Sequence, residues 1–139
     1  MRKNEAISHI MSKELYAVQQ GQLLSEVYQL LCNTGVHHVP VLNGKQLVGL
    51  ISLTDMMKLN MAIHGADGHS ISAILDQQYS IEEVMTKKLV TLTESSTVRD
   101  AAEQLGGGDF HSLPVIKGDG ELVGMVTSTD LIRYLSEQY

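Results

Sequence analysis

Apolar residues recur at helical spacing in two stretches of this chain. In the first stretch they fall at i, i+1, i+4, i+7 and i+8, which are Leu23, Leu24, Val27, Leu30 and Leu31. In the second stretch, which follows the Ser95-Ser96-Thr97 sequence, the matching face consists of Val98, Ala101, Ala102 and Leu105. This periodicity predicts one amphipathic helix in each stretch, the second with a hydroxyl residue as its cap.

A pattern typical of a β-hairpin follows each predicted helix. The β-branched and apolar runs are residues 38–42 and 47–52 around Asn43-Gly44, and residues 112–116 and 122–127 around residues 118–120. Such runs on either side of a glycine-containing turn predict two antiparallel strands. A further helix should begin at Thr54-Asp55 and at Thr129-Asp130, because Thr and Asp are favoured at the start of a helix.

The two sets of elements are copies of one unit. A shift of 74 residues aligns residues 10–13, Ile-Met-Ser-Lys, with residues 84–87, Val-Met-Thr-Lys. The same shift aligns residues 36–41 with residues 110–115, and one inserted residue in the second hairpin turn then aligns residues 47–55 with residues 122–130. The sequence therefore contains a duplication of about 50 residues, in which each copy is predicted as strand, helix, hairpin and helix.

These alignments define the predicted domains. The first copy covers residues 7–62, the second covers residues 81–137, and residues 63–80 form a linker with a short helix near Ile74 and Leu75. A unit of this size buries too little apolar surface to be comfortably stable alone. We therefore expect the two copies to pack sheet to sheet as one body.

Composition and charge narrow the class of function. The 139 residues carry a formal net charge of −6, so no strongly basic face is available overall for nucleic acid. The apolar runs fall far short of the ~20 residues that a membrane span needs, and no signal peptide is recognised, so we expect a cytoplasmic protein. The single cysteine, Cys32, lies in an apolar helical pattern and is expected to be a buried thiol.

Two short motifs occur once in each copy. His-x-x-Pro enters each hairpin at His37 and His111, and Gly-x-x-Ser/Thr-x-Thr-Asp ends each hairpin at Asp55 and Asp130. Together with the order of elements, these motifs resemble the cystathionine β-synthase (CBS) domain family over about residues 7–137. The resemblance implies an α/β (α+β) fold of two β-α-β-β-α units packed with pseudo-twofold symmetry.

The resemblance also implies a function. Many CBS pairs bind AMP, ADP, ATP or S-adenosylmethionine, act as regulatory modules without catalytic activity and form homodimers, so the expected partners are such a ligand, a second copy and an unidentified regulated protein. No cofactor or metal is expected to be required.

The residues of the second motif suit a nucleotide on chemical grounds. A carboxylate at a helix start, as at Asp55 and Asp130, can accept hydrogen bonds from both hydroxyls of a ribose. The hydroxyls and backbone N–H groups at the same helix start would attract a phosphate; these residues are Ser52, Thr54, Thr127 and Thr129. His37 and His111 could donate to a phosphate or to a backbone carbonyl.

The family pattern assigns these residues to two crossed clefts. One cleft would contain Ser12, Tyr16 and Val36 of the first copy with His111, Thr127, Thr129 and Asp130 of the second. The other would contain Thr86, Val90 and Phe110 of the second copy with His37, Ser52, Thr54 and Asp55 of the first. Lys13, Lys87 and Lys88 flank the clefts and could reach a polyphosphate.

The two predicted clefts differ, so one occupied cleft is as consistent with the sequence as two. Tyr16 in one corresponds to Val90 in the other, and Gly106-Gly107-Gly108 replaces an ordinary helix end before His111. The glycines predict a looser approach to that histidine.

Several alternatives stay open. Both aspartates could simply be helix caps, although a cap alone would not require the second hydroxyl residue three positions earlier. The clefts could also be empty, which would leave a ligand-free structural dimerisation module. Met56, Met57 and Met61 fit core or subunit contacts, while His37-His38, His64 and His69 are poor candidates for a metal site. A small hydrolase is disfavoured because no serine or cysteine has a predicted histidine–carboxylate pair beside it.

Overall fold

A computed structural model describes residues 4–62 and 68–139, with the side chains of residue 62 and of residues 68–72 left out. The chain divides into two compact units, and the division does not follow the order of the two sequence copies. One unit is Tyr16–Leu89, and the other combines Met1–Leu15 with Val90–Tyr139. The segment that ends at Leu15, at the start of the first copy, thus belongs structurally with the second copy's hairpin.

The unit Tyr16–Leu89 has a three-stranded sheet. Its elements are β1 (Val18–Gln19), α1 (Leu24–Thr34), β2 (His38–Asn43), β3 (Gln46–Ser52), α2 (Leu53–Ala62), α3 (Gly68–Gln78) and α4 (Ile81–Val84). β1 runs parallel to β2, and β2 pairs with β3 in antiparallel fashion. The helix predicted in the linker is therefore present as α3.

The other unit repeats this plan. Its elements are a 3-10 turn (Ile7–His9), β4 (Leu92–Thr93), α5 (Val98–Leu105), β5 (Ser112–Ile116), β6 (Leu122–Thr127) and α6 (Ser128–Glu137). β4 is parallel to β5, β5 is antiparallel to β6, and an irregularity falls at equivalent places of the two sheets, Val41/Leu42 and Val115/Ile116. The fold class predicted from the sequence is confirmed: two β-α-β-β-α units with one small sheet each.

Each unit has its own apolar core, and each core includes a residue from the start of the opposite sequence copy. In one unit the fully buried Ile81 packs with residues such as Leu24, Val39 and Ile51. In the other unit the fully buried Ile7 packs with residues that include Leu113. Ile7 is further tied to the second copy through its backbone N–H, which donates to Ser96 O at 2.9 Å.

The helix starts of α1 and α5 differ in a way that corrects one prediction. Thr97 caps α5, since its hydroxyl accepts a hydrogen bond from Asp100 N. The equivalent residue before α1 is Leu23, which we predicted on the buried face but which is 53% exposed. Without a side-chain oxygen there, α1 uses other groups: Glu26 accepts from Leu23 N at 2.7 Å, and Asp76 of α3 accepts from Ser25 N at 3.0 Å.

The helix ends also differ, as predicted from the glycine run. α1 ends at Thr34 and is followed by Gly35 with a φ of 74°. α5 ends earlier, at Leu105, and the left-handed residue is Gly108, with a φ of 82°. A side chain is strained at such φ values, which accounts for glycine at both helix ends.

Cys32 requires a second correction, because its side chain is exposed instead of buried. It follows the buried Leu31 by one residue, which turns it about 100° around the helix and away from the core.

Of the three methionines at the second helix, Met56 is buried, whereas Met57 and Met61 are 56% and 69% exposed.

Candidate functional site

The start of α6 is closed by a capping box. Thr127 is the cap residue, and its hydroxyl accepts from Asp130 N at 3.1 Å. In return, Asp130 Oδ2 accepts from Thr127 N at 2.9 Å. The two side chains therefore satisfy two N–H groups that the helix leaves without intrahelical partners.

The start of α2 is closed in the same way. Ser52 Oγ accepts from Asp55 N at 3.0 Å, and Asp55 Oδ2 accepts from Ser52 N at 2.9 Å. Our argument that a cap would not require the second hydroxyl residue was therefore wrong, because that residue is the other half of the box. The spacing of Ser/Thr and Asp is explained by helix capping and does not by itself indicate a ligand.

Each box leaves one carboxylate oxygen outside it. Asp130 Oδ1 accepts a long hydrogen bond of 3.5 Å from Arg133, whose side chain is 62% exposed, and Asp130 itself is 15% exposed. For Asp55 Oδ1 no hydrogen bond is found among the described residues. The ion pair of Asp130 with the exposed Arg133, at 3.5 Å, contributes little to stability. Each aspartate therefore keeps an acceptor with which it could bind a hydroxyl while still capping its helix.

The predicted histidines are joined to these helix starts through their backbones. His111 O accepts from Ser128 N at 3.1 Å, and His37 O accepts from Leu53 N at 2.8 Å. Both histidine side chains are exposed. Each histidine thus lies beside the first residue of a helix with its imidazole accessible to solvent.

A short segment of the opposite sequence copy completes each group. Ser12 forms two backbone hydrogen bonds with Met125, at 2.8 and 3.0 Å, two residues before Thr127. Thr86 pairs with Leu50 in the same way, at 2.9 and 3.1 Å, two residues before Ser52. The structure therefore brings Ser12 and Thr86 close to the helix start of the opposite copy within each unit, and their role in ligand binding stays a prediction.

Four predicted residues fall in the unit other than that of their assigned partners. Tyr16, 40% exposed, and Val36, half-buried, belong to the unit Tyr16–Leu89. Val90, half-buried, and Phe110, 37% exposed, belong to the other unit. Their place in a shared cleft stays a prediction.

Thr54 and Thr129 lie exposed in the first turns of α2 and α6, and Lys13, Lys87 and Lys88 are exposed.

Sequence reasoning missed two methionines that lie against these groups. Met11 precedes Ser12 and packs on Gly124 of β6, and Met85 precedes Thr86 and packs on Gly49 of β3. The signal was available, since both methionines stand at equivalent positions of the repeat.

The described residues contain neither a cluster of metal-ligating side chains nor a helix that could cross a membrane. No set of three or more His, Cys, Asp or Glu side chains in that part of the chain is grouped as a metal site would require. His64 lies outside the described residues, as does the side chain of His69. Of the helices within residues 4–62 and 68–139, none has the length and apolar character needed to cross a membrane.

The sequence model of the CBS domain matches this chain twice, at residues 7–61 and 81–137. The chain therefore belongs to the CBS domain family and carries a pair of these domains, as the resemblance predicted.

Relatives of known sequence include larger proteins. A homoserine O-acetyltransferase of Methanohalobium evestigatum is 30% identical over 94% of this chain, and the chain spans 24% of that enzyme. Protein MJ1225 of Methanocaldococcus jannaschii is 25% identical over 96% of this chain, which spans 48% of it. Protein MJ1426 of the same organism is similar in size: it is 29% identical, and the match covers 93% of this chain and 90% of that protein.

Solved structures share the fold over nearly the whole chain. CBSX2 of Arabidopsis thaliana, solved in complex with AMP, has a TM-score of 0.80 and 23% identity, covering 96% of this chain and 98% of that one. The CBS pair of protein MJ0100, solved with 5′-methylthioadenosine and S-adenosyl-L-methionine, has a TM-score of 0.78 and 23% identity, covering 98% and 99%.

Proposed function

We propose that this chain is a regulatory module that binds an adenosine-containing ligand and has no catalytic activity of its own. The observation that carries the proposal is the crossed arrangement in both units. In each, a backbone pair holds a hydroxyl residue of one sequence copy beside the acidic helix start of the other, Ser12 near Thr127–Asp130 and Thr86 near Ser52–Asp55.

The chemistry of each group suits a nucleoside with a charged 5′ substituent. The outer oxygen of Asp55 or Asp130 would accept from ribose hydroxyls. N–H groups of the first helical turn, with the exposed His37 or His111 nearby, would attract a phosphate. Ser12 and Thr86 would hydrogen-bond the base, and Tyr16, Val36, Val90 and Phe110 would contact its faces, as the family pattern assigns them.

The solved structures with this fold support the class of ligand. AMP is bound to CBSX2, and 5′-methylthioadenosine and S-adenosyl-L-methionine are bound to the pair of MJ0100. All three ligands contain adenosine and differ in the 5′ group. We therefore propose AMP, ADP, ATP or S-adenosylmethionine for this chain, with its binding coupled to affinity for a regulated protein. The cytoplasmic location also stays a proposal.

Calorimetric titration with each of these four ligands tests the proposal. We expect heat and a ligand-dependent rise in melting temperature with at least one of them, because a ligand that binds only the folded state stabilises that state. If none of the four gives heat or a thermal shift at millimolar concentration, the nucleotide proposal is wrong.

A second candidate, a ligand-free dimerisation module, has one observation in its favour. Large apolar side chains are exposed on α2, at Met57 and Met61, and on α6, at Ile132 and Leu135. Such residues are common where a second subunit binds. Sedimentation analysis of the ligand-free protein would show a dimer that is unaffected by nucleotide if this candidate is correct.

A further inference from the structure

In both units a methionine side chain occupies space that a strand glycine leaves free. A Cβ atom added to Gly124 would lie 2.5 Å from Met11 Sδ and 2.9 Å from Met11 Cγ. At Gly49 an added Cβ would lie 2.7 Å from Met85 Cγ and closer still to its sulfur. Carbon atoms in non-bonded contact prefer about 3.5–4.0 Å, so any side chain at either glycine must displace the methionine.

The glycine side of the strand faces the core of its own unit. Gly124 pairs across the hairpin with Val115, and Gly49 pairs with Val41, both of which are fully buried. Met85 is 8% exposed and belongs to the core of its unit, and Met11 packs against the core of the other. The thioethers therefore fill the core at the two positions where the strands have no side chain.

The residue after each methionine is joined to its unit by a backbone bridge, and the Ser12 hydroxyl donates in addition to Glu14 O at 3.3 Å. Ser12 and Thr86 lie outside every named strand, and each forms a single isolated two-way bridge to a strand residue, Met125 or Leu50. The side chain before the bridge and the bridge itself thus hold each segment in place. We expect a methionine displaced by about 1 Å, the shift that restores ordinary non-bonded contact, to move the adjacent bridge residue as well.

We propose that Met11 with Gly124, and Met85 with Gly49, are positioning pairs that set the location of Ser12 and Thr86 for ligand binding. This inference rests on the proposed function and assigns a role to four residues outside the predicted site. Neither glycine has a positive φ, so backbone conformation does not explain glycine at positions 49 and 124. Glycine is required there because the partner methionine occupies the space of a side chain.

The test uses Gly124→Ala, with Gly118→Ala as its matched control. Gly118 lies in the same unit, its φ is not positive, and an added Cβ there meets nothing within 4 Å. Calorimetric titration with AMP and with S-adenosylmethionine should show about a tenfold loss of affinity at one site in Gly124→Ala, which corresponds to one lost hydrogen bond, and no change in Gly118→Ala.

Truncating the methionine should reverse much of this loss. In Met11→Ala/Gly124→Ala the new Cβ occupies space that the thioether has vacated, so affinity should recover towards that of the wild type. A double variant that binds as poorly as Gly124→Ala would place the damage in β6 itself and overturn the inference. A Gly124→Ala protein that binds like the wild type would also overturn the inference.

Amide hydrogen exchange provides a readout that does not depend on a ligand. In Gly124→Ala the N–H groups of Ser12 and Met125 should exchange faster than in Gly118→Ala, while Thr86 and Leu50 should be unchanged. If the wild type binds neither of these compounds nor ADP or ATP, the proposed function fails, yet faster exchange confined to Ser12 and Met125 would still support the positioning pair. Unchanged exchange would overturn it. Should Gly124→Ala not fold, Met11→Ala alone must accelerate exchange at the same two amides.

Discussion

Two aspartates with the same capping geometry make it possible to separate ligand binding from helix stability. Asp130 accepts from Thr127 N at 2.9 Å, and Asp100 accepts from Thr97 N at 2.8 Å. Both belong to one compact unit and both are the third residue of a helix. Asp130 is in the predicted site and Asp100 is not, so Asp100→Ala is a matched control for Asp130→Ala.

The two substitutions should cost similar amounts of stability. Loss of a capping interaction costs about 1 kcal/mol, which lowers the melting temperature of a protein of this size by roughly 3–5 °C. Their effects on affinity should differ. Asp130→Ala also removes a charged acceptor for ribose hydroxyls, which costs about 1.5–3 kcal/mol of binding, or roughly 10- to 150-fold in Kd.

Calorimetric titration and thermal unfolding of the three proteins measure both quantities. We expect the melting temperatures of the two variants to fall together and the Kd to rise in Asp130→Ala alone. Equal Kd values in Asp130→Ala and the wild type would refute the assignment of Asp130 to the ligand. A similar loss of affinity in Asp100→Ala would mean that binding follows helix stability and that no ribose contact need be invoked.

Three further predictions concern stability and assembly. Leu23→Thr should raise the free energy of unfolding by about 1 kcal/mol, because it supplies the missing cap of α1, and urea denaturation measures this; no gain would mean that Glu26 already satisfies the helix start. Asp76→Ala should lower the same free energy by about 1–2 kcal/mol, since it removes both acceptors of Ser25, whereas an unchanged denaturation midpoint would contradict a stabilising role for this contact. Met61→Asp should leave the melting temperature nearly unchanged and weaken self-association in sedimentation experiments if α2 contributes to a dimer, and an unaltered dimer would exclude this face.

The sequence predicted the hairpins almost to the residue because their signals are local. The strands Ser112–Ile116 and Leu122–Thr127 have the predicted bounds, since a turn with glycine separates two apolar runs. By contrast, β1 and β4 have two residues each, too few for an alternating pattern to show their bounds.

Helical periodicity was less reliable at the ends of elements. Leu23 continues the spacing of the buried face but stands one residue before α1, where the backbone is still extended. Periodicity reports which residues share a face and does not locate the cap. The prediction that Cys32 is buried was wrong for a related reason, because a pattern of apolar residues does not mark the edge of the buried face.

The site could be predicted only in part. The repeat and the family resemblance indicated the residue types and the crossed assignment, and the backbone pairs of Ser12 and Thr86 agree with that assignment within each unit. The role of Met11 and Met85 depends on contacts with glycines more than 30 residues away in the chain, which no local pattern records. The capping role of Ser52 and Thr127 is visible in the sequence as a hydroxyl residue three positions before an aspartate, and the prediction of a second ligand contact there did not take it into account.

The exchange of segments between the two copies has a consequence for anyone who wishes to dissect the molecule. A fragment cut at the boundary of the duplication would leave β6 without Met11 and Ile7, which come from the far end of the chain, and would expose a gap in its interior. A permuted fragment, in which residues 90–139 are followed by a flexible tether and residues 4–15, would keep the interior of that unit whole. Such a fragment would allow the ligand binding proposed for this unit to be measured without the other unit.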